Sequence, residues 1–290
     1  MLPYLFLLGA MIGSALNNIV SAAFTRRNVN RANISGIYNI LVTSSAALYW
    51  LVLYLSDFSF DPKVLVYSLI YGVFYTMAFL GLFMALACGS VSLTAFVKQL
   101  SLIAVAFWGF FFWDTPLSVT TIIGMVLIVA ALYLCFKPDK AHHGERVSLK
   151  WVIFSLMLLV GNAGCSITQK YQQKLFDAQH GNMFMFFGVL ISVFVSLIMY
   201  LRGKKCRLRD ISKVSLVFPI LGGISSGFLN LFILLLINST MSESIIFPGI
   251  AVGGLIFTTI YSLAVYREEL YPRQWAGLGV GALALVFLNL

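Results

Sequence analysis

Ten apolar stretches fill this chain of 290 residues almost end to end, and its basic residues stand on alternate sides of them. The stretches lie at about 2–24, 33–55, 64–87, 93–112, 117–136, 151–174, 182–201, 214–238, 244–265 and 273–290. Roughly 20 apolar residues suffice to cross a bilayer as a helix. Only helices and closed barrels satisfy backbone polar groups in lipid, and barrel strands would be short and alternating. All ten stretches are therefore expected to be helices. Of the 19 lysines and arginines, 15 fall in odd-numbered connections. Short loops rich in Lys and Arg stay on the cytoplasmic side. The expectation is an all-α polytopic membrane protein, with the loops at Arg26, Lys140 and Lys205 inside and both termini extracytoplasmic.

Hydrophobic residues make up 60% of the chain and charged ones 10%, against about 25% charged in a soluble domain. A soluble core cannot hide that much apolar surface, whereas a bilayer solvates it. The net charge of +9 sits in loops beside the spans, with no basic run interleaved with base-stacking aromatics. Anionic headgroups are thus the expected partner and nucleic acid is not. No cleavable signal peptide is expected, because the N-terminus lacks a charged n-region and the first stretch is long enough to remain as a span. Cys88, Cys135, Cys165 and Cys206 form no CxxC and read as packing or loop residues.

The polar stretch Lys137–Lys150 divides the chain near its middle. It is expected to be a cytoplasmic linker, 137–150, between five-helix repeats at 1–136 and 151–290. With a shift of about 151, Gly13 aligns with Gly164, Asn18 with Gln169 and Phe79 with Asn230. Five is odd, so the second copy starts on the opposite face of the membrane. The expected layout is an inverted repeat around a central cavity, as in many secondary transporters.

Several pieces in order carry a resemblance. FFFWDTPLSVTTIIGMVLIV closes the fourth span and opens the fifth, and YREELYPRQWAGLGVGALAL repeats the arrangement at the end. VKQLSLIAVAF occupies the fourth span. SSGFLNLFILLL and SESIIFPGIAVGGLIFTTI cover spans eight and nine. Across all ten spans the chain resembles the drug/metabolite transporter superfamily, EamA type. The resemblance implies a basket of two five-helix repeats, with a cavity lined largely by spans one, three, four, six, eight and nine. It implies movement of small organic solutes, often amino acids or other metabolites. Small multidrug-resistance relatives couple to protons through a glutamate in the first span; LPYLFLLGAMIGSALNNIVSAAF has no acid.

The acidic residues and the three histidines fall in loops or at span ends, leaving none at mid-membrane for a proton relay. No ligand spacing for a metal appears, nor a phosphate-cradling loop or nucleophile elbow. No cofactor and no enzymatic chemistry are expected. Lys98 lies roughly 8 Å into the fourth span by helical rise. It either snorkels to the boundary or faces the cavity as a cation for a carboxylate; Gln99 should point about 100° away. Asn17 and Asn18 in span one, and Asn230 in span eight, either glue helices together or line the cavity. Gln169 ends span six with Lys170, which reads as an interface anchor. Tyr71, Tyr75 and Phe79 form a stripe that either packs or walls the cavity, where it could hold cationic solutes. Phe58, Phe60, Trp113, Trp151 and Trp275 read as interface belts. Gly9/Gly13, Gly223/Gly227 and Gly249/Gly253 let helix backbones approach closely, and Pro248 should kink span nine.

These residues lead to a secondary transporter or facilitator of a small organic metabolite, monomeric, in a bacterial plasma membrane, working by alternating access. Asn17, Asn18, Tyr75, Lys98, Gln169 and Asn230 are the candidate solute-binding residues. The alternatives are an importer of a quaternary amine or nucleoside-like solute, and a membrane enzyme or flippase acting on a lipid carrier.

Overall fold

The computed structural model describes residues 2–28, 34–88, 91–113, 118–135, 149–202, 213–266 and 272–289, and its regular structure there is entirely helical. The helices are α1 (Leu2–Asn28), α2 (Ile34–Ser56), α3 (Pro62–Cys88), α4 (Val91–Phe112), α5 (Val119–Cys135), α6 (Leu149–Leu175), α7 (Gly181–Arg202), α8 (Lys213–Ile237), α9 (Glu243–Tyr266) and α10 (Pro272–Asn289). Each expected span coincides with one helix to within about a turn. Most of the 137–150 linker, the Asp114 turn, the loops at Lys140 and Lys205, the Arg26 side chain and residues Glu268 and Glu269 lie outside the described residues.

Local chemistry sets the ends. The Asp61 carboxylate accepts the Lys63 N–H at 2.9 Å, with Pro62 at the first helical position of α3, a favoured start because proline there forfeits no helical bond. Ser118 caps α5 through the Thr121 N–H at 3.0 Å. The α6–α7 turn takes positive φ at Asp177, Ala178 and His180, and the Ala178 N–H closes the end of α6 on the Gln173 carbonyl at 2.8 Å.

Among the described residues, seven helices are long and apolar enough to cross a membrane; Val97–Phe112, Val119–Ala131 and Trp275–Ala284 are shorter apolar helical stretches. The surface is inverted relative to a soluble protein. On α1, Leu5, Leu8, Ile12 and Leu16 recur at helical spacing and all are exposed, as are Val66, Leu69, Ile70 and Val73 on α3. Contiguous apolar surface of this extent suits lipid rather than water. Of the expected belt residues, Phe58, Phe60 and Trp275 are exposed, but Trp113 and Trp151 are buried. Trp113 packs edge-on to Tyr171, and the Lys170 ammonium sits 5.5 Å from its ring centroid. This tryptophan therefore anchors α4 to α6 and does not face lipid.

The principal helix contacts are α3 with α6, α1 with α8, α3 with α7, α2 with α8, α2 with α7, α1 with α9, α4 with α6, α4 with α9 and α5 with α10. Exchanging α1–α5 with α6–α10 carries this set onto itself. Small residues permit the closest approaches. A Cβ on Gly161 would stand 2.4 Å from the Ala78 nitrogen, and one on Gly81 2.4 Å from the Leu158 nitrogen, so α3 and α6 touch backbone to backbone. All three GxxxG pairs lie in helix interfaces: Gly9 and Gly13 against α8, Gly223 and Gly227 against α2, Gly249 and Gly253 against α1. Pro248 falls in the second turn of α9, and Pro219 in that of α8.

Candidate functional site

These interfaces leave a cavity between α1, α2, α3, α4, α6, α8 and α9. Its volume is about 130 Å³, on a measure in which one water needs roughly 10–15 Å³, so it can hold a small organic molecule. It draws on the second half of α1 (Ser14, Asn17, Ser21), the first turns of α2 (Tyr38, Val42), the middle and second half of α3 (Tyr71 to Leu82) and the first half of α4 (Lys98 to Leu102). From α6, α8 and α9 it takes residues near the helix centres, among them Asn162, Ser166, Ser226, Asn230 and Ile250. The cavity thus extends from mid-bundle toward the end where α1 meets α2 and α3 meets α4.

The candidate residues divide. Asn17, Tyr75, Lys98 and Asn230 are on the cavity wall. Asn18 and Gln169 are not, but each is one hydrogen bond away: the Lys98 Nζ donates to Asn18 Oδ1 at 3.3 Å, and Gln169 Nε2 donates to Asn230 Oδ1 at 2.9 Å. Asn17 is itself tied to α8, donating to the Gly222 carbonyl at 3.2 Å. Asn230 is well occupied by protein. Its Oδ1 also accepts from the Tyr71 hydroxyl at 3.4 Å, and its Nδ2 donates to the Ser226 carbonyl at 2.8 Å. The isolated amide of span eight is therefore the node that joins α3, α6 and α8.

Gln99, expected to point away from Lys98, lines the same cavity and is buried. An angle of about 100° between consecutive side chains still lets both reach a cavity that wraps around part of the helix. Tyr71, Tyr75 and Phe79 all line the wall, with ring centroids 5.6 Å and 4.8 Å apart along the stripe. Their packing and cavity roles coexist, since the rings that line the wall also stack on or lie edge-on to one another. Sequence reasoning did not single out Ser14, Tyr38, Asn162, Ser166 or Ser226. The 151-residue shift could have found one of them, because Tyr75 and Ser226 are 151 residues apart and their hydroxyls meet at 3.4 Å.

Off the cavity wall, toward the α6–α7 turn, α6 carries a cluster of amides. Gln169, Gln172 and Gln173 are buried. Gln173 donates to the Gln172 side chain. Gln172 donates to the Gln179 carbonyl at 2.9 Å, and Asn238 to Gln173 Oε1 at 2.6 Å. This cluster ties α6 to its own turn and to the end of α8. Outside the cavity, Arg273 clasps α5 by donating to the Tyr133 carbonyl at 3.0 Å and lying 4.7 Å over its ring.

A bundle with a lipid-suited exterior and a central cavity whose apolar wall carries amides, hydroxyls and a lysine is a polytopic membrane protein with room for a small solute. Residues 1–137, just under half of the chain, match the EamA-like transporter family, which falls within the drug/metabolite transporter superfamily. The match spans α1–α5. In solved structures, one crystallographically determined protein superposes over 98% of this chain and 95% of its own, with a TM-score of 0.75 at 10% identity; that likeness concerns the fold alone. No curated protein matches the chain in sequence.

Proposed function

We propose that the chain is a secondary transporter or facilitator that carries a small organic metabolite, amino acid-like or similar, through the central cavity by alternating access. The observation that carries this reading is a cavity at mid-bundle lined by amides, hydroxyls and one lysine, inside a protein whose exterior suits lipid. Buried polar groups need partners, and a solute supplies them. Contact with the solute is assigned to Asn17, Tyr75 and Lys98 directly, and to Asn230 at least through its edge. Asn18 and Gln169 hold Lys98 and Asn230 in place.

The halves are proposed to be inverted copies that rock about the cavity. The exchangeable contact set supports this, as does the antiparallel packing of α1 on α8 and α3 on α6. The lysine and arginine distribution supports extracytoplasmic termini in a plasma membrane. The aromatic stripe favours a second reading, import of a quaternary amine or nucleoside-like solute by ring-face contacts.

The test is flux. Purified protein in liposomes should accumulate or release a labelled solute first found by its thermal stabilisation of the protein, since a ligand for the folded state raises its apparent stability. A stabilising solute that never crosses the vesicle wall overturns the transport reading.

A further inference from the structure

The cavity carries a cation and no acid. Among the described residues on its wall, Lys98 alone is charged. Its ammonium has three protons to donate, and Asn18 Oδ1 at 3.3 Å is its one acceptor among the described side chains. Two nearby polar groups are already engaged. The Ser101 hydroxyl donates to the Lys98 backbone carbonyl at 2.6 Å, and the Asn17 amide donates across to α8. Gln99, Asn162 and Ser166 line the same space and have no side-chain hydrogen-bond partner among the described residues. The rest of the lining includes the rings of Tyr71, Tyr75 and Phe79 and aliphatic side chains such as Leu102, Leu158 and Ile233.

A cation in apolar surroundings is stable only when an anion or several dipoles answer it. Here one dipole does so. A monoanionic solute would complete the pairing, while a dianion would leave one charge unanswered. A solute ammonium would meet a like charge with no carboxylate on the wall to offset it. A zwitterion would satisfy Lys98 at one end and bring the same unanswered ammonium at the other.

We propose that the cavity selects organic acids with one carboxylate on an otherwise uncharged body. The carboxylate sits on Lys98, beside Asn18, and the body lies against Tyr71, Tyr75 and Phe79, with Gln99, Asn162 and Ser166 reading its hydroxyl or carbonyl groups. This rests on the transport reading and narrows it, from metabolites in general to acids without an amine.

The test uses two skeletons, each in four charge forms. One set is 4-hydroxybutyrate, 4-aminobutyrate, 1,4-butanediol and 4-amino-1-butanol. The other is 3-phenylpropanoate, phenylalanine, 3-phenylpropanol and 3-phenylpropylamine. Each compound is titrated against purified protein by thermal shift. In at least one set, the acid is expected to stabilise at a concentration at least tenfold lower than its three counterparts. Lys98→Gln should weaken that acid roughly ten- to a hundredfold, the loss typical of a charge-assisted bond, and leave the neutral compounds unchanged. A zwitterion or amine that binds as well as its acid overturns the proposal, and so does an acid whose affinity ignores Lys98→Gln. Stabilisation by neither acid overturns it too. If Lys98→Gln does not fold, the charge series on the parent protein decides alone. Flux in liposomes separates the two readings. An acid that binds through Lys98 without crossing leaves the selectivity standing and removes transport. Preferential flux of the zwitterion does the reverse.

Discussion

Replacing Gly161 with alanine tests the closest contact in the bundle. The added Cβ would lie 2.4 Å from the Ala78 nitrogen and 2.8 Å from both the Ala78 Cα and the Phe74 carbonyl oxygen. Ordinary contact begins near 3.4 Å, so α3 and α6 must part by about 1 Å. All three obstacles are backbone, and none can rotate away. Overpacking of this kind costs about 1–3 kcal/mol, and exchanging a helical glycine for alanine returns up to about 1 kcal/mol. The net loss should be about 1–2 kcal/mol, a fall in melting temperature of roughly 2–3 °C for a chain of this length. Gly279→Ala is the control, because nothing lies within 4 Å of its added Cβ; its melting temperature should hold or rise. Gly81→Ala meets α6 in the same way, at 2.4 Å from the Leu158 nitrogen. Parting the helices once relieves both clashes, so the double variant should cost less than the sum of the two. Thermal unfolding in detergent, followed by tryptophan fluorescence, reads the four variants against the parent. A Gly161→Ala protein that melts with the parent, or a double variant whose losses simply add, refutes the backbone-to-backbone account.

Asn230→Leu should cost about 1–3 kcal/mol, because it strands the Tyr71 hydroxyl and the Gln169 amide; an unchanged melting temperature would show that these bonds are not made. Lys98→Ala should lower solute affinity or flux while the protein still inserts and stays monodisperse, and parental transport would leave Lys98 a boundary residue. A Leu290 fusion to a reporter that fluoresces only in the cytoplasm should stay dark; bright signal rejects the extracytoplasmic C-terminus. Flux should run without a proton gradient or, where a gradient drives it, lose that drive when Lys98 and Glu243 are both neutralised. Glu243 is placed here by sequence, since its side chain lies outside the described residues. A double variant that still concentrates solute under the gradient contradicts this.

The helices were legible because a bilayer imposes one length on every span. Stretches such as 182–201 and 244–265 could hardly end elsewhere, and α7 and α9 end within two residues of them. The cavity was legible only where a residue was costly in an apolar run. Lys98, Asn17 and Asn230 stood out for that reason. Serines did not, because Ser14, Ser166 and Ser226 are cheap in a span and can bond to their own helix backbone. Helix rotation decides which of them face the cavity, and distant contacts set that rotation: Gly13 against Leu229 on α8, Gly164 against Phe74 on α3. The same contacts turn Asn18 off the wall although its neighbour Asn17 is on it, and they leave Gln169 off the wall as well. Trp113 and Trp151 were misread because tryptophan at a span end is equally suited to a headgroup and to a neighbouring helix.

The amide cluster of Gln172, Gln173, Gln179 and Asn238 contains no group that gains or loses a proton in ordinary water. Acidification leaves its donors and acceptors as they are, and added salt finds no net charge there to screen. Lys98 and the amide cluster therefore answer different signals. Near Lys98 the local energy varies with ions and with the charge of whatever enters. Within the amide cluster it varies with how well the carbonyl and amide groups are aligned, so the cluster itself should respond to temperature and to mechanical strain from the surrounding lipid.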